Sequence, residues 1–187
     1  MVSTANVRPA TVGDAPEIAR IQRDTWRTAY ADLLGEHGLA ELDATDPTLQ
    51  WTGAIEHPET RVFVAVEGEF TVGFSVSGPA PEADAANAAG ELPEDAGHLA
   101  MIASVLVEPR WGRRGHGGRL LATAARALAE LGAERGIAWV AQADSASLGL
   151  YRRAGWKPDG TVRTLDTGER TVREIRVTGP LDLELTE

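Results

Sequence analysis

The feature that most constrains this chain is the run Val105-Leu-Val-Glu-Pro-Arg-Trp-Gly-Arg-Arg-Gly-His-Gly-Gly-Arg-Leu-Leu121, where a strand, a Gly/Arg loop and an amphipathic helix follow without a gap. Leu99 to Val107 is almost continuously apolar, which predicts a central strand buried on both faces, ended by Pro109. From Gly117 onward Leu120, Leu121, Ala124, Ala125, Leu128 and Leu131 fall on one helical stripe. Gly132 and Gly136 read as the close of that helix, and Ile137 to Ala143 as the next strand. A strand, helix, strand order with a crossover of this length predicts parallel pairing. Glycines let the backbone approach a ligand closely, and the helix start offers unpaired N–H groups at the positive end of its dipole. The segment is therefore built as a phosphate cradle. It is neither of two common ones: the dinucleotide fingerprint needs glycine where Leu120 stands, and a Walker loop needs Lys and Ser or Thr where Gly118 and Arg119 stand.

Charge sharpens the reading. The chain carries a net charge of -10, a poor match for nucleic acid. Yet Arg110, Arg113, Arg114 and Arg119 crowd into the same loop with His116, a patch suited to a compact polyanion. Its 187 residues fit a single domain, 1–187, and 43% hydrophobic with 25% charged residues is ordinary for a globular fold. There is no cysteine, and His37, His57, His98 and His116 lack metal-ligand spacing, so no metal is expected. No apolar run approaches the ~20 residues of a membrane span, and Met-Val-Ser-Thr-Ala-Asn lacks the regions of a signal peptide. The expectation is a cytoplasmic protein that binds neither membrane nor nucleic acid.

Elsewhere, Asn6 to Thr11 reads as a strand, and Asp14 as the N-cap of a helix with Pro16 in its first turn and Ile18, Ile21 and Thr25 or Trp26 inward. A second helix, Tyr30 to Leu42, is interrupted by Gly35 and Gly38. Arg61 to Val66 and Thr71 to Val76 form a hairpin. Pro79 to Gly97, rich in Ala, Pro, Glu and Asp, reads as a mobile surface loop. Ser145 to Ala154 is a short helix stopped by Gly155, and Trp156 to Leu165 and Arg173 to Val177 form a closing hairpin around Asp166 to Gly168. The whole reads as a mixed sheet with helices on both faces.

Gly115-His116-Gly117 match the small positions of the motif Q/R-x-x-G-x-G/A, with Gly112 where Gln or Arg opens it. The segment resembles the pyrophosphate-binding motif of the GNAT N-acetyltransferase superfamily. Asp144-Ser-Ala-Ser-Leu-Gly-Leu-Tyr151-Arg-Arg-Ala-Gly155-Trp156 resembles that family's N-x-x-A-x-x-x-Y-x-x-x-G-F segment, with Asp144, Ser147 and Trp156 in place of Asn, Ala and Phe. Val7-Arg8-Pro9-Ala10, Trp26 and Tyr30 are similar to its amino-terminal part. The resemblance covers nearly the whole chain apart from Pro79 to Gly97.

The resemblance implies an α/β (α+β) fold: a mixed, mostly antiparallel sheet of six to seven strands with a splayed parallel pair and about four flanking helices. It implies an acetyl-CoA-dependent N-acetyltransferase with an amine acceptor, a small molecule or protein, attacked in a ternary complex. Cofactor contacts are expected from Val105, Leu106, Val107, Arg113, Arg114, Gly115, His116, Gly117, Gly118, Arg119, Asp144, Ser147 and Tyr151. An oxyanion donor is expected near Leu106 or Val107, and Arg113 or Arg114 is expected to bind the phosphate that Gly112, having no side chain, does not reach. Tyr151 is expected as the acid for the leaving thiolate, with His98 and Glu108 as candidate bases, because Met101 stands where the family often has an acidic residue. Trp26, Tyr30 and Trp51 are candidates for the acceptor cleft. A homodimer through the carboxy-terminal hairpin is the oligomeric expectation. Two readings compete: a catalytically silent acyl-CoA sensor, and a different nucleotide-phosphate binder.

Overall fold

Alternation within Arg61–Glu67 divides the molecule into two apolar layers: Phe63 and Ala65 enter one cluster, Val62 and Val64 the other. In the computed structural model, which describes residues 4–183, this segment is β2 of a seven-stranded sheet. The strands are β1 (Ala5–Pro9), β2 (Arg61–Glu67), β3 (Phe70–Pro79), β4 (Leu99–Val107), β5 (Arg135–Ala141), β6 (Lys157–Asp166) and β7 (Thr171–Gly179), in the spatial order 1-2-3-4-5-7-6. Every neighbouring pair is antiparallel except β4 and β5. The helices are α1 (Ala15–Ala29), α2 (Ala31–Ala44), α3 (Thr48–Glu56), α4 (Glu82–Ala85), α5 (His116–Glu130) and α6 (Ser145–Arg153).

On one face the α5 stripe Leu120, Leu121, Ala124, Ala125 and Leu128 packs against Phe63, Ala65, Ile102 and Val140. On the other, Ile18 and Ile21 of α1 and Trp51 of α3 cover Val62, Val64, Phe74 and Leu106. Trp51 meets Phe74 edge to face at 4.9 Å and donates its indole N–H to Gln22 Oε1 at 3.1 Å. It is core, not acceptor cleft, and α3 is a helix the sequence reading did not contain.

Asp14 is the N-cap residue of α1, as expected, but its side chain makes no capping bond to that helix. Its carboxylate accepts from the Thr11 N–H and from both terminal nitrogens of Arg8, at 2.8 to 2.9 Å. Hydrogen bonding from Arg8 holds the carboxyl below its ordinary range. Of the two glycines expected to interrupt α2, only Gly35 does, with φ of 70°.

The segment after Pro79 is anchored, not loose. Asp84 Oδ1 accepts from Trp139 Nε1 and from Arg163 Nη1, both at 3.0 Å. Arg176 Nη1 donates to the Asp84 and Ala86 carbonyls at 2.8 Å, and Ala85 is buried. Polar composition misled here because the partners, Trp139, Arg163 and Arg176, lie more than 50 residues away in the chain.

Gly136 also changes place. It lies in β5 paired with Gly179 of β7, and Gly132, with φ of 96°, alone follows α5. The two paired glycines seat the Trp156 indole: a Cβ on Gly136 would lie 2.5 Å from the ring and one on Gly179 2.3 Å. Gly136→Ala is therefore expected to destabilise the fold by about 1–3 kcal/mol through overpacking, read as a lowered urea midpoint with unchanged slope.

What positions the site is the β4–β5 junction. Only Leu99, Ala100 and Met101 pair with β5, to Arg135, Gly136 and Ile137. Directly beyond, Val76 faces Ser104 while Ser77 faces Ile102, so Ala103 is an extra residue on β4. Such a bulge bends its strand and ends regular pairing. The two strands part from there. The second half of β4 is consequently not buried on both faces: Ala103 is exposed and Ser104 and Val105 are half-buried.

Candidate functional site

The loop after Pro109 ends in two left-handed residues, Arg113 with φ of 61° and Gly115 with φ of 78°. For Arg113 that conformation costs about 1–2 kcal/mol. Gly115 is the N-cap of α5 and no side chain caps the helix. The backbone N–H groups of Arg113 to Gly118 find no acceptor among the described residues, and the first to be satisfied is that of Arg119, to the Gly115 carbonyl at 3.1 Å. Six consecutive free donors at a helix start form an anion site. At Gly117 an added Cβ would meet nothing closer than Leu150 at 3.6 Å, so the protein's own packing does not require glycine there.

The arginines of the loop are not equivalent. Arg113 is exposed and has no partner among the described residues. Arg114 instead donates to Glu67 Oε1 at 2.8 Å and lies over the Trp111 ring at 5.0 Å. His116 is 1% exposed. Arg119 Nη2 donates to its Nδ1 at 3.2 Å and to the Arg114 carbonyl at 2.9 Å, leaving the Nε2–H for Glu67 Oε2 at 2.7 Å. Hydrogen bonds from His116 and then from Arg114 hold the Glu67 carboxyl below its ordinary range. The side chains of Arg114, His116 and Arg119 thus brace the loop against the end of β2. They were expected as cofactor contacts, and Glu67, their common anchor, was not foreseen.

Where β4 and β5 part lies a cavity of about 260 Å³. Ala103 to Leu106 form one wall and Trp139 to Ala141 the other, with Trp26, Tyr30, Asp144, Ser147 and Tyr151 closing it. The Glu108 N–H donates to the Val72 carbonyl at 2.9 Å, so alternation turns the Leu106 N–H toward β3 and those of Val105 and Val107 toward the gap. Backbone donors on the open side are accordingly Val105 and Val107, not Leu106.

Asp144 caps α6, accepting from the Ser147 N–H at 3.0 Å, the Ser147 hydroxyl at 2.7 Å and the Tyr30 hydroxyl at 2.5 Å. Burial first, then the bond to Asp144, raises the Tyr30 pKa above its ordinary value. Tyr151 is 5% exposed and its hydroxyl has no hydrogen-bond partner among the described residues. Burial, followed by the charge of Asp144, raises its pKa too. Glu174 enters from β7 opposite Ala141, held by Arg163 Nε at 2.7 Å.

Neither expected base reaches this cavity. His98 is exposed in the turn before β4, at the end of the strand opposite the gap. Glu108 is buried between Arg20 at 2.8 Å and Arg110 at 3.1 Å. Glu174 was missed because its place depends on the β5–β7 register, which no local pattern shows. Among the described residues no group of three or more His, Asp or Glu converges as for a metal, and no helix is long and apolar enough to cross a membrane.

The model of the acetyltransferase (GNAT) family matches residues 16–156. No curated protein matches the chain. Among solved structures, an N-acetyltransferase from Staphylococcus aureus Mu50 superposes with a TM-score of 0.74 at 17% identity, over 96% of this chain and 99% of that one. The PaiA N-acetyltransferase of Thermoplasma acidophilum in complex with coenzyme A gives 0.70 at 14% identity, over 95% and 99%. YncA of Salmonella typhimurium, a putative acetyltransferase with its cofactor acetyl-CoA, gives 0.70 at 18% identity, over 99% and 98%.

Proposed function

The chain belongs to the GNAT acetyltransferase family, and from that premise we propose that it transfers an acetyl group from acetyl-CoA to an amine. The observation that carries this is the conjunction of six unpaired amides at the start of α5 with a gap between β4 and β5 that opens beside them. The residues present fit acetyl-CoA: the amides of Arg113 to Gly118 and the Arg113 guanidinium would hold the diphosphate, and the backbone of Val105 and Val107 the pantetheine arm. Bound there, acetyl-CoA would supply an activated acyl group whose sulfur departs as a thiolate.

The protein's own groups then divide the remaining work. The Val107 or Val105 N–H polarises a carbonyl placed in the gap. Tyr151, kept protonated by its burial, donates to the leaving sulfur, a thiol of pKa ~8.5 once released. An alkylamine of pKa ~10 must shed a proton before attack. Glu174, whose Oε2 has no partner among the described residues, receives it directly or through water. Asp144 already accepts three hydrogen bonds and positions Tyr30 and Ser147. We also assign the edge strand β6 to a homodimer contact.

The test is calorimetric titration with CoA together with thioester consumption over a panel of amines. Binding with turnover of at least one amine is the expected result. Binding without turnover on any amine would make the protein a sensor, and indifference to CoA with competition by ATP or NAD would make it a different nucleotide binder.

A further inference from the structure

The site is polarised in charge. Its cofactor side carries four arginines within ten residues. None lines the cavities on the acceptor side. The inner cavity adjoins an outer one of about 530 Å³, the two sharing Trp26, Leu34 and Thr167. Asp144 and Glu174 line the inner cavity, Glu41 and Asp166 the outer, and no Lys or Arg lines either, although the chain has 18 such residues. Arg163 reaches Glu174 and stacks on Trp139 at 4.2 Å, yet it is not part of the cavity wall. His37 is the sole basic side chain lining either cavity, so a carboxylate or phosphate on the acceptor would meet no permanent cation there.

The remaining inner wall is aromatic and aliphatic: Trp26, Tyr30, Trp139 and Tyr151 with Leu33 and Leu165. Such a compartment takes an alkyl chain, and aromatic faces tolerate an adjacent ammonium. The Tyr151 hydroxyl, without a hydrogen-bond partner among the described residues, borders the cavity, where a polar ligand atom would complete the wall. In the outer cavity the Glu41 carboxylate faces His37 at 3.3 Å and Asp166 accepts from the Gly168 N–H at 2.8 Å, which leaves both able to receive an ammonium donor.

We propose that the acceptor is an alkylamine whose chain ends in a second ammonium group. The reacting nitrogen lies in the inner cavity between Tyr151 and Glu174, and the tail crosses Trp26 and Leu34 to the carboxylates outside. In the transfer the N–C bond forms, the C–S bond breaks, the amine's proton goes to Glu174 or water, and the sulfur takes a proton from Tyr151. The tail ammonium is unchanged. This rests on the acetyltransferase reading above.

The experiment compares 1-aminopentane, 5-aminopentanoate and 1,5-diaminopentane as acceptors for the full chain with acetyl-CoA. The diamine should exceed the monoamine about tenfold in kcat/KM, and the amino acid should be poorest. Raising salt from about 0.05 to about 0.5 M should shrink the diamine's advantage. Glu41→Gln with Asp166→Asn should lower the diamine-to-monoamine ratio toward one. A diamine no better than the monoamine, or an amino acid as good as the diamine, overturns the proposal. Use of none of the three by a protein that binds acetyl-CoA overturns it as well, with the cofactor reading intact. Failure to bind acetyl-CoA removes both.

Discussion

Tyr151→Phe should lower kcat about 100-fold while the KM for acetyl-CoA changes less than about threefold, the split expected when a proton donor is removed and ground-state binding is not. The phenyl ring keeps the packing of the tyrosine, which lies 5.1 Å from the Trp156 ring. Removing the hydroxyl leaves no group orphaned, because it has no partner among the described residues. Melting temperature should therefore stay near that of the parent chain. Steady-state rates of thiol release and a thermal melt are the two measurements. An unaltered kcat would take Tyr151 out of the chemistry and point to water as the source of the proton.

Gly117→Asp should separate stability from binding in the opposite sense. Glycine inside a helix is about 1 kcal/mol worse than alanine, and a carboxylate in the first turn gains about 0.3–1 kcal/mol from the dipole. The site has room for a Cβ, with Leu150 3.6 Å away. The variant should melt at the same temperature or higher. Its affinity for CoA should fall at least about 100-fold, because a negative group now sits among the amides proposed to hold the diphosphate and intrudes on the groove beside Val107. Calorimetry with CoA decides: retained affinity would move the diphosphate elsewhere.

Much of the architecture was legible because it is written in local periodicity. The strand from Leu99 to Val107, the stripe from Leu120 to Leu128 and the glycines Gly132 and Gly155 that follow α5 and α6 are each read from the local residue pattern. The cavity was legible only in part. Trp26, Tyr30, Asp144, Ser147 and Tyr151, all named from the sequence, line one cavity. His98 and Glu108 do not: one precedes β4 at the closed end of the gap, and the other turns away to meet Arg20 from α1. Sequence adjacency to a functional strand says nothing about which end of it the gap occupies. That is set by the bulge at Ala103, which exists only as a mismatch in register with β3. Glu67 and Glu174 were hidden for the same reason, since each reaches its partners across a pairing made at long range.

In the binding mode proposed above, the diphosphate and the pantetheine arm are held chiefly by peptide groups, at the start of α5 and along the open side of β4. Peptide groups are common to every residue but proline in the donor role, so most single substitutions leave them in place. The acceptor walls, by contrast, are side chains. Mutational drift can thus exchange one amine for another while the acyl donor stays the same, and new specificities can arise without passing through a protein that has lost its cofactor.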